Sequence, residues 1–271
     1  MTSQPVIVVE NARKTFESER GPVPALDGFS MTVNETEFVS IVGPSGCGKS
    51  TLLWAMASLW PLTSGSIKIN GEEITGPRRE VGMVFQSANL LPWRNLMKNI
   101  HFPMEIFKED PKKYQARIDE LIELTALKGF ERHFPRELSG GMQQRASIVR
   151  ALSYDPEVLL MDEPFGALDA FTRDEMNVML LDIWAKKQKT IVFVTHQIPE
   201  AVFLSDRVYV MTPRPGKNSE VFTIDLPRPR PLEVTTEAHF FEIVGRIKST
   251  IYGDVDQATN TGKYEIDRFA H

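Results

Sequence analysis

The stretch FVSIVGPSGCGKSTLLWAMASLW, residues 38–60, decides the fold. The apolar run FVSIV at 38–42 is followed by the glycine-rich loop GPSGCGKST at 43–51, and a helix-like segment begins within that loop. The loop satisfies the pattern G-x-x-x-x-G-K-[ST], and its place between a strand and a helix is the context that a phosphate-binding P-loop requires. We therefore predict a nucleotide phosphate site at this loop.

Each residue type in the loop has a reason to be there. Glycines permit the tight backbone path that turns successive N–H groups inward, and the following helix presents its positive dipole end to the phosphates. Lys49 supplies a charge for the β- and γ-phosphates, and the Ser50 hydroxyl is a ligand for Mg²⁺. The predicted nucleotide-binding residues of the loop are Gly43, Pro44, Ser45, Gly46, Cys47, Gly48, Lys49, Ser50 and Thr51.

Cys47 is the only cysteine of the chain, so no intrachain disulfide can form, which fits a reducing compartment. One interpretation gives it a low thiol pKa, beside Lys49 and a helix N-terminus. A catalytic thiol is the weaker hypothesis, because water can attack a phosphate without a protein nucleophile.

The composition limits the possible functions. The 271 residues are 42% hydrophobic and 25% charged, as in an ordinary globular protein, and the net charge of -5 leaves no basic footprint for a nucleic-acid partner. The first residues do not resemble a secretory signal, and the longest apolar run, LLWAMA at 52–57, is too short to cross a bilayer. We expect membrane association only through partner proteins.

Short apolar and β-branched runs predict strands, and several do not alternate with polar residues, as expected for parallel strands covered on both faces. Between about 88 and 155 the pattern becomes helical, as in RIDELIELTAL at 117–127, and a second helical stretch follows around 238–252. The fold class is therefore α/β. The predicted strands are VIVV (6–9), FVSIV (38–42), VGMVF (81–85), VLLM (158–161), IVFV (191–194) and VYVM (208–211).

Polar residues follow three of these strands. Asp162 and Glu163 end the strand-like VLLM, at the edge where open α/β sheets bind ligands, so Asp162 is a candidate for the Mg²⁺ shell and Glu163 for the general base. His196 follows IVFV and is a candidate sensor of the γ-phosphate, and Gln86 follows VGMVF as a candidate ligand of Mg²⁺ or water. Without a P-loop, each would be interpreted as a solvated or structural residue at a strand end.

The segment ELSGGMQQR at 137–145 distinguishes among P-loop families, because it resembles the signature sequence of ATP-binding cassette (ABC) ATPases. The resemblance covers about residues 5–230. It makes Gln86 similar to the Q-loop glutamine, FGALD at 165–169 to the D-loop, His196 to the switch histidine, and Phe16 to the aromatic residue that stacks on adenine.

The resemblance implies that the cofactors are ATP and Mg²⁺ and that two chains form a head-to-tail homodimer. In such a dimer the signature of one chain reaches the ATP of the other; SGG offers a hydroxyl, two unhindered N–H groups and a helix dipole end. Interpreted locally, SGG is a simple helix-start turn. The additional residues implied at the nucleotide are Ser139, Gly140, Gly141, Gln143 and Asp169.

The resemblance also implies a P-loop NTPase (RecA-like) core with an N-terminal antiparallel β portion and an inserted helical subdomain. The predicted core comprises residues 1–87 and 156–230, and the helical signature subdomain comprises 88–155. Residues 231–271 are predicted to form a C-terminal helical extension and tail.

LLPW after Gln86, EPFGALD, and PRPGK followed by IDLPRPR resemble the importers of nitrate, sulfonate or taurine. This resemblance implies permease subunits in the membrane, an extracytoplasmic solute-binding protein, and a peripheral position at the cytoplasmic face of the cell membrane. The alternatives are a cassette for a pyrimidine precursor, an exporter cassette, and a soluble ABC ATPase acting on nucleic acid or the ribosome.

Two local features leave alternatives open. Leu90, Leu91 and Trp93 form either a surface for a membrane subunit or part of the core of the helical subdomain. Gln197 stands where an acidic residue commonly follows the switch histidine, and Pro199 suits the first turn of a helix.

Overall fold

The computed structural model describes residues 5–19 and 21–260, and it divides into two compact units. The first contains the chain up to Arg78 and from Val192 onward, and the second contains Arg79–Ile191. The chain returns from the second unit to the first between Ile191 and Val192.

An antiparallel sheet in the first unit has the strand order β2-β1-β4-β5. Alternate residues of β1 and β2 are buried, including Ile7, Val9 and Phe29, so one face of the sheet packs on the core. The strands are β1 (Pro5–Phe16), β2 (Val23–Asn34), β4 (Ser64–Ile69) and β5 (Glu72–Glu73).

A second group of strands in the first unit has the order β10-β9-β3-β8, in which β3 runs parallel to β9 and β10 antiparallel to β9. Every residue of β3 and β8 is buried, as expected for central strands. The strands are β3 (Phe38–Val42), β8 (Thr190–Val194), β9 (Arg207–Met211) and β10 (Asn218–Thr223), and the helices of this unit are α1 (Lys49–Met56), α7 (Ile198–Leu204) and α8 (Ala238–Asn260).

The second unit contains two parallel strands, β6 (Val81–Val84) and β7 (Val158–Asp162), with Val84 opposite Met161. Residues 88–155, all of which the structure describes, form helices and turns. The helices of this unit are α2 (Leu96–Ile100), α3 (Phe102–Phe107), α4 (Gln115–Leu124), α5 (Gly140–Leu152) and α6 (Ala170–Lys187).

The α/β fold class is confirmed, and each predicted strand overlaps an observed one. Strand β6 ends at Val84, one residue before the predicted end. Helix α4 ends at Leu124, short of the predicted 127, because Ala126 has a φ of 53° in the left-handed region. Conversely, α8 extends to Asn260, beyond the predicted 252, and the remainder of the predicted tail lies outside the described residues.

Over the described ranges, the structure has no helix that is both long and apolar enough to cross a membrane.

Candidate functional site

The P-loop connects β3 to α1 in the first unit, as predicted. Gly48 is the N-cap of α1, and its φ of 108° is one that residues with a Cβ rarely adopt. A Cβ at Gly48 would lie 2.8 Å from the Ala25 carbonyl oxygen, and a Cβ at Gly43 would lie 2.7 Å from the Met211 carbonyl oxygen. The backbone around the loop therefore requires glycine at both positions.

Lys49 is buried within the loop. Its Nζ donates to the carbonyl oxygens of Gly43 and Pro44, each at 3.0 Å, and lies 3.8 Å from the Cys47 Sγ. Ser45 and Gly46 are exposed at the tip of the loop. The loop thus has a shape set by its own contacts, with a cation held inside it.

Cys47 is buried, and burial raises the pKa of its thiol, although Lys49 acts in the opposite direction. The hypothesis of a low thiol pKa is therefore wrong. Desolvation opposes the thiolate more strongly than the neighbouring ammonium favours it, so the neutral thiol fills a core position.

His196 lies at the same sheet edge as the P-loop. Strand β8 lies beside β3, and the Thr195 N–H donates to the Ile41 carbonyl oxygen at 3.3 Å. His196 follows the last residue of this pairing and is exposed, while the P-loop begins at the corresponding end of β3. This hydrogen bond brings the predicted sensor and the P-loop to one edge of the first unit.

Phe16 ends β1 and is half-buried. Its ring contacts the Trp60 ring edge to face, with centroids 5.1 Å apart, and Lys14 Nζ lies 5.0 Å from its centroid. An aromatic residue backed in this way provides a fixed platform for a stacked base.

In the second unit, Gln86 and the two carboxylates are also at one sheet edge, because β6 and β7 are parallel and in register up to Val84 and Met161. Asp162 is buried at the end of β7, and Glu163 is half-buried. Glu163 has a φ of 43°, a conformation that costs energy in a residue other than glycine and that is frequent at functional sites.

The predicted signature forms the start of α5. Ser139 is its N-cap, and the Ser139 Oγ accepts a hydrogen bond from the Met142 N–H at 3.3 Å. A Cβ at Gly140 would meet nothing within 4 Å, and one at Gly141 would meet only the Thr172 Cγ2, at 2.9 Å. This helix start therefore has an open face.

The two glutamines of the signature have different surroundings. The Gln143 Nε2 donates to the carbonyl oxygens of Pro135 and Leu138, at 3.0 and 3.1 Å, and so holds the turn before Ser139. Gln144, which the sequence interpretation did not include, is buried, and its Nε2 donates to the Phe85 carbonyl oxygen at 3.1 Å. A polar residue on the buried face of an amphipathic helix is the pattern that predicts such an anchor.

Arg150, also missed by the sequence interpretation, continues this anchoring six residues later on α5. Its guanidinium donates to the carbonyl oxygens of Ala88 and Asn89, at 2.9 and 2.8 Å. Helix α5 therefore fixes the segment that follows Gln86 as well as carrying Ser139.

Asp169 is the N-cap of α6. Its two carboxylate oxygens accept from the backbone N–H and the hydroxyl of Thr172, at 3.0 and 2.7 Å. These bonds hold the pKa of Asp169 below its usual range, the backbone bond first. The neighbouring Phe171 is 85% exposed.

The donors predicted for Mg²⁺ are the Ser50 hydroxyl, the Gln86 amide oxygen and the Asp162 carboxylate. All three are oxygen ligands, which Mg²⁺ prefers, so the chemistry of the set fits that ion. Within the described residues, no group of three or more His, Cys, Asp or Glu side chains could hold a metal.

Comparison with known proteins finds a match to a family model described as ABC transporter, over residues 26–166. Relatives cover most of the chain. An uncharacterized ABC transporter ATP-binding protein of Methanocaldococcus jannaschii is 47% identical over 248 residues, 91% of each chain.

Two relatives carry names that state a solute. The aliphatic sulfonates import ATP-binding protein of Bacillus subtilis is 45% identical over 224 residues, 83% of this chain and 87% of the relative. The nitrate import ATP-binding protein of Synechocystis is 40% identical over 257 residues, 93% of this chain and 97% of the relative.

A solved dimeric structure of a bacterial ABC transporter cassette has a TM-score of 0.71 and 31% sequence identity, over 82% of this chain and all of that one. The same cassette, in a post-hydrolysis state bound to ADP and Pi, matches equally well.

Proposed function

The chain belongs to the ABC family of ATP-hydrolysing transport ATPases, and from this membership we propose that it energises an importer for a small oxyanion such as a sulfonate or nitrate. The observation that carries the proposal is the similarity, over more than four-fifths of the chain, to import subunits named for these two solutes. Both are small anions, so the proposal states the chemical class that they share.

In the proposed mechanism, the P-loop N–H groups and Lys49 bind the phosphates of ATP, and Phe16 stacks on the adenine. Glu163 orients and deprotonates the attacking water, while His196 contacts the γ-phosphate. The left-handed backbone at Glu163 supports this role, because strained conformations of this kind are frequent at functional sites and this one sets the position of the carboxylate after β7.

Mg²⁺, when bound, would neutralise phosphate charge, and Ser50, Gln86 and Asp162 are the residues that would hold it. Asp162 lies at the end of a fully buried strand, so its carboxylate is presented from a rigid element.

We infer that the working unit is a homodimer in which each signature approaches the ATP of the other chain. The open space beside Gly140 supports this arrangement, because a phosphate can approach the N–H groups at the start of α5 without steric obstruction. ATP would then close the dimer, and hydrolysis would release it.

The proposed partners are permease subunits and, through them, an extracytoplasmic solute-binding protein, with the chain peripheral at the cytoplasmic face of the membrane. Trp93 is 72% exposed, which favours a contact surface over a place in the core, while Leu90 and Leu91 are half-buried. The predicted helical subdomain, residues 88–155, would carry this contact.

Growth of a strain lacking this chain tests the proposal. With an aliphatic sulfonate as sole sulfur source, or nitrate as sole nitrogen source, growth should fail on one of the two. The wild-type chain and the Glu157→Gln variant should restore it, and Glu163→Gln should not. Normal growth of the deletion strain on both solutes would reject the proposed solute class, and a defect only in export would reject the importer. A stable complex of the chain with the ribosome or DNA would reject the transporter.

A further inference from the structure

The proline-rich connector LPRPR, residues 226–230, buries an arginine in the first unit. Arg230 is 5% exposed, although arginine is rarely buried without partners. Burial lowers the pKa of its guanidinium to about 10, so the group stays positively charged at neutral pH. The side chain is therefore a buried cation.

Backbone carbonyl oxygens surround this cation. The Arg230 Nη1 donates to Val202, Phe203 and Ser205, at 3.1, 2.9 and 2.8 Å. Its Nε and Nη2 donate to Leu226 at 3.3 and 3.1 Å, which ties the connector to the same group. Each of these hydrogen bonds goes to a main-chain acceptor.

Three of these acceptors belong to the end of helix α7. The last carbonyl groups of a helix have no partner within the helix, and a cation near them also interacts favourably with the helix dipole. Arg228 contributes a further bond, from its Nη2 to the Leu204 carbonyl oxygen at 2.7 Å, and it pairs with Asp206. Two arginines of the connector therefore fix the C-terminal end of α7.

The other end of α7 begins beside His196. Gln197 is its N-cap, and the Gln197 N–H donates to the Thr195 Oγ1 at 3.0 Å, while that hydroxyl donates to the buried Glu200. Pro199 lies in the first turn, as predicted. Because α7 has seven residues and a length of about 10 Å, a shift of its far end moves the backbone at His196.

The C-terminal helix supports the same element. Helix α8 packs against α7 and against β9 and β10, and it buries Phe240, Ile243 and Ile247. The connector and α8 thus both contact α7.

We propose that Arg230 is a positioning residue for ATP hydrolysis, which holds α7 through its terminal carbonyl oxygens and thereby sets the place of His196 at the γ-phosphate. This inference rests on the proposed role of His196. Misplacement of a catalytic group by about 1 Å can lower a rate by up to about 100-fold, so the effect of a partial loss of this support is measurable.

The first variants are Arg230→Lys and Arg230→Met in the full-length chain. Lysine keeps a cation but cannot reach all of these acceptors from one planar group, whereas methionine removes the charge. We expect Arg230→Lys to lower kcat about fivefold and Arg230→Met about 20-fold, with the Kd for ATP changed less than twofold. Lysine should thus partly rescue turnover relative to methionine.

Arg207→Lys is the matched control for a loss of stability alone. Arg207 is partly buried, and its guanidinium pairs with Glu37 and donates to the Thr32 carbonyl oxygen at 2.7 Å, so these bonds hold β2 and the turn after it rather than α7. It should lower the melting temperature by a similar amount and keep kcat within twofold of wild type. Equal kcat losses in the Arg207→Lys and Arg230→Lys variants would show a purely structural role for Arg230 and overturn the proposal.

A double-mutant cycle with His196→Ala identifies the route of the effect. If Arg230 acts through His196, Arg230→Lys should change kcat less than twofold in the His196→Ala background, since coupled residues are not additive. An additional loss as large as in the wild-type background overturns the inference but leaves the proposed role of His196 intact. Full activity of His196→Ala would instead reject the role of His196, and the inference with it.

Discussion

The P-loop and the signature are both helix starts at which we propose that N–H groups bind phosphate, but their surroundings differ. Gly48 has a left-handed φ and close backbone neighbours, and Lys49 is bonded to two carbonyl oxygens of its own loop. Gly140 has an ordinary conformation and open space, and the Ser139 side chain caps its helix. One surface is enclosed by its own unit, and the other is open.

This difference is what we expect if one chain carries two unlike halves of an ATP site. The enclosed loop is held by its own hydrogen bonds, as expected of a surface that binds ATP within one chain. The open helix start needs something from outside the chain to complete its contacts, as expected if it meets the ATP of a partner. Variants of the two surfaces should therefore separate ATP affinity from turnover.

The largest effect is expected from Glu163→Gln, which leaves both surfaces intact and removes only the proposed base. We expect kcat to fall about 1000-fold, because a positioned general base contributes on that order, with ATP affinity within threefold of wild type. The dimer should then accumulate with ATP and be visible by size-exclusion chromatography.

Glu157→Gln is the control for this change, because Glu157 precedes strand β7 and Glu163 follows it. It should leave kcat unaltered. Rapid steady-state ATP hydrolysis by the Glu163→Gln variant would show that Glu163 is not the general base, and the ATP-bound dimer would then not accumulate.

Gly48→Ala tests the enclosed surface. At a φ of 108° the new side chain is strained and would lie 2.8 Å from the Ala25 carbonyl oxygen. A strain of about 2 kcal/mol corresponds to a rise in the Kd for ATP of about 30-fold, measured by calorimetry. Gly71→Ala, at a φ of 78° with nothing within 4 Å, should lower stability without changing ATP affinity; equal affinities in the two variants would show that the loop adapts to a side chain.

Gly140→Ala tests the open surface. The chain itself has room for the methyl group, so stability and the Kd for ATP should be unchanged. If a partner's phosphate lies against the N–H groups, the methyl group should lower kcat about tenfold and weaken the ATP-bound dimer. The control is Gly245→Ala on α8, where a Cβ also meets nothing within 4 Å. If kcat is unchanged in both the Gly140→Ala and Gly245→Ala variants, the partner's nucleotide does not lie against the start of α5.

Ser139→Ala should have the smallest effect. It removes the cap bond to Met142, which costs about 1 kcal/mol of unfolding free energy, and it should lower kcat about threefold. Asn95→Ala removes a similar cap, the bond from the Lys98 N–H at 2.9 Å, and should lower stability alike but leave kcat unaltered. Denaturant titration and ATPase assays compare the two variants. If neither variant lowers kcat, the Ser139 hydroxyl serves only to cap the helix.

The parts of the fold that follow from local patterns could be predicted from the sequence. The strands 38–42 and 158–162 are apolar except for Ser40 and Asp162, and both are buried throughout. In contrast, β2 contains Pro24 and Gly28, and its pairing with β1 depends on distant residues, so no local pattern indicated it. The end of α4 was likewise set by one left-handed residue, Ala126, whose type does not predict that conformation.

At the candidate site, residue type and spacing were sufficient to propose residues for a phosphate site. They were not sufficient for the residues that hold those in place. Gln144 and Arg230 act through backbone carbonyl oxygens, and an arginine in a proline-rich connector is ordinarily expected at the surface. The wrong expectation for Cys47 has a related cause, because the balance between burial and Lys49 depends on packing.

The acceptors around Arg230 have a consequence for how this protein can diverge. A carbonyl oxygen is present whatever side chain its residue carries, so replacements of Val202 or Phe203 by other helix-compatible core residues leave the arginine's bonds available. Selection should therefore act on Arg230, which is the donor of these bonds, and on the length of the connector that carries it. We expect homologous chains to vary along α7 while keeping an arginine at the position of Arg230.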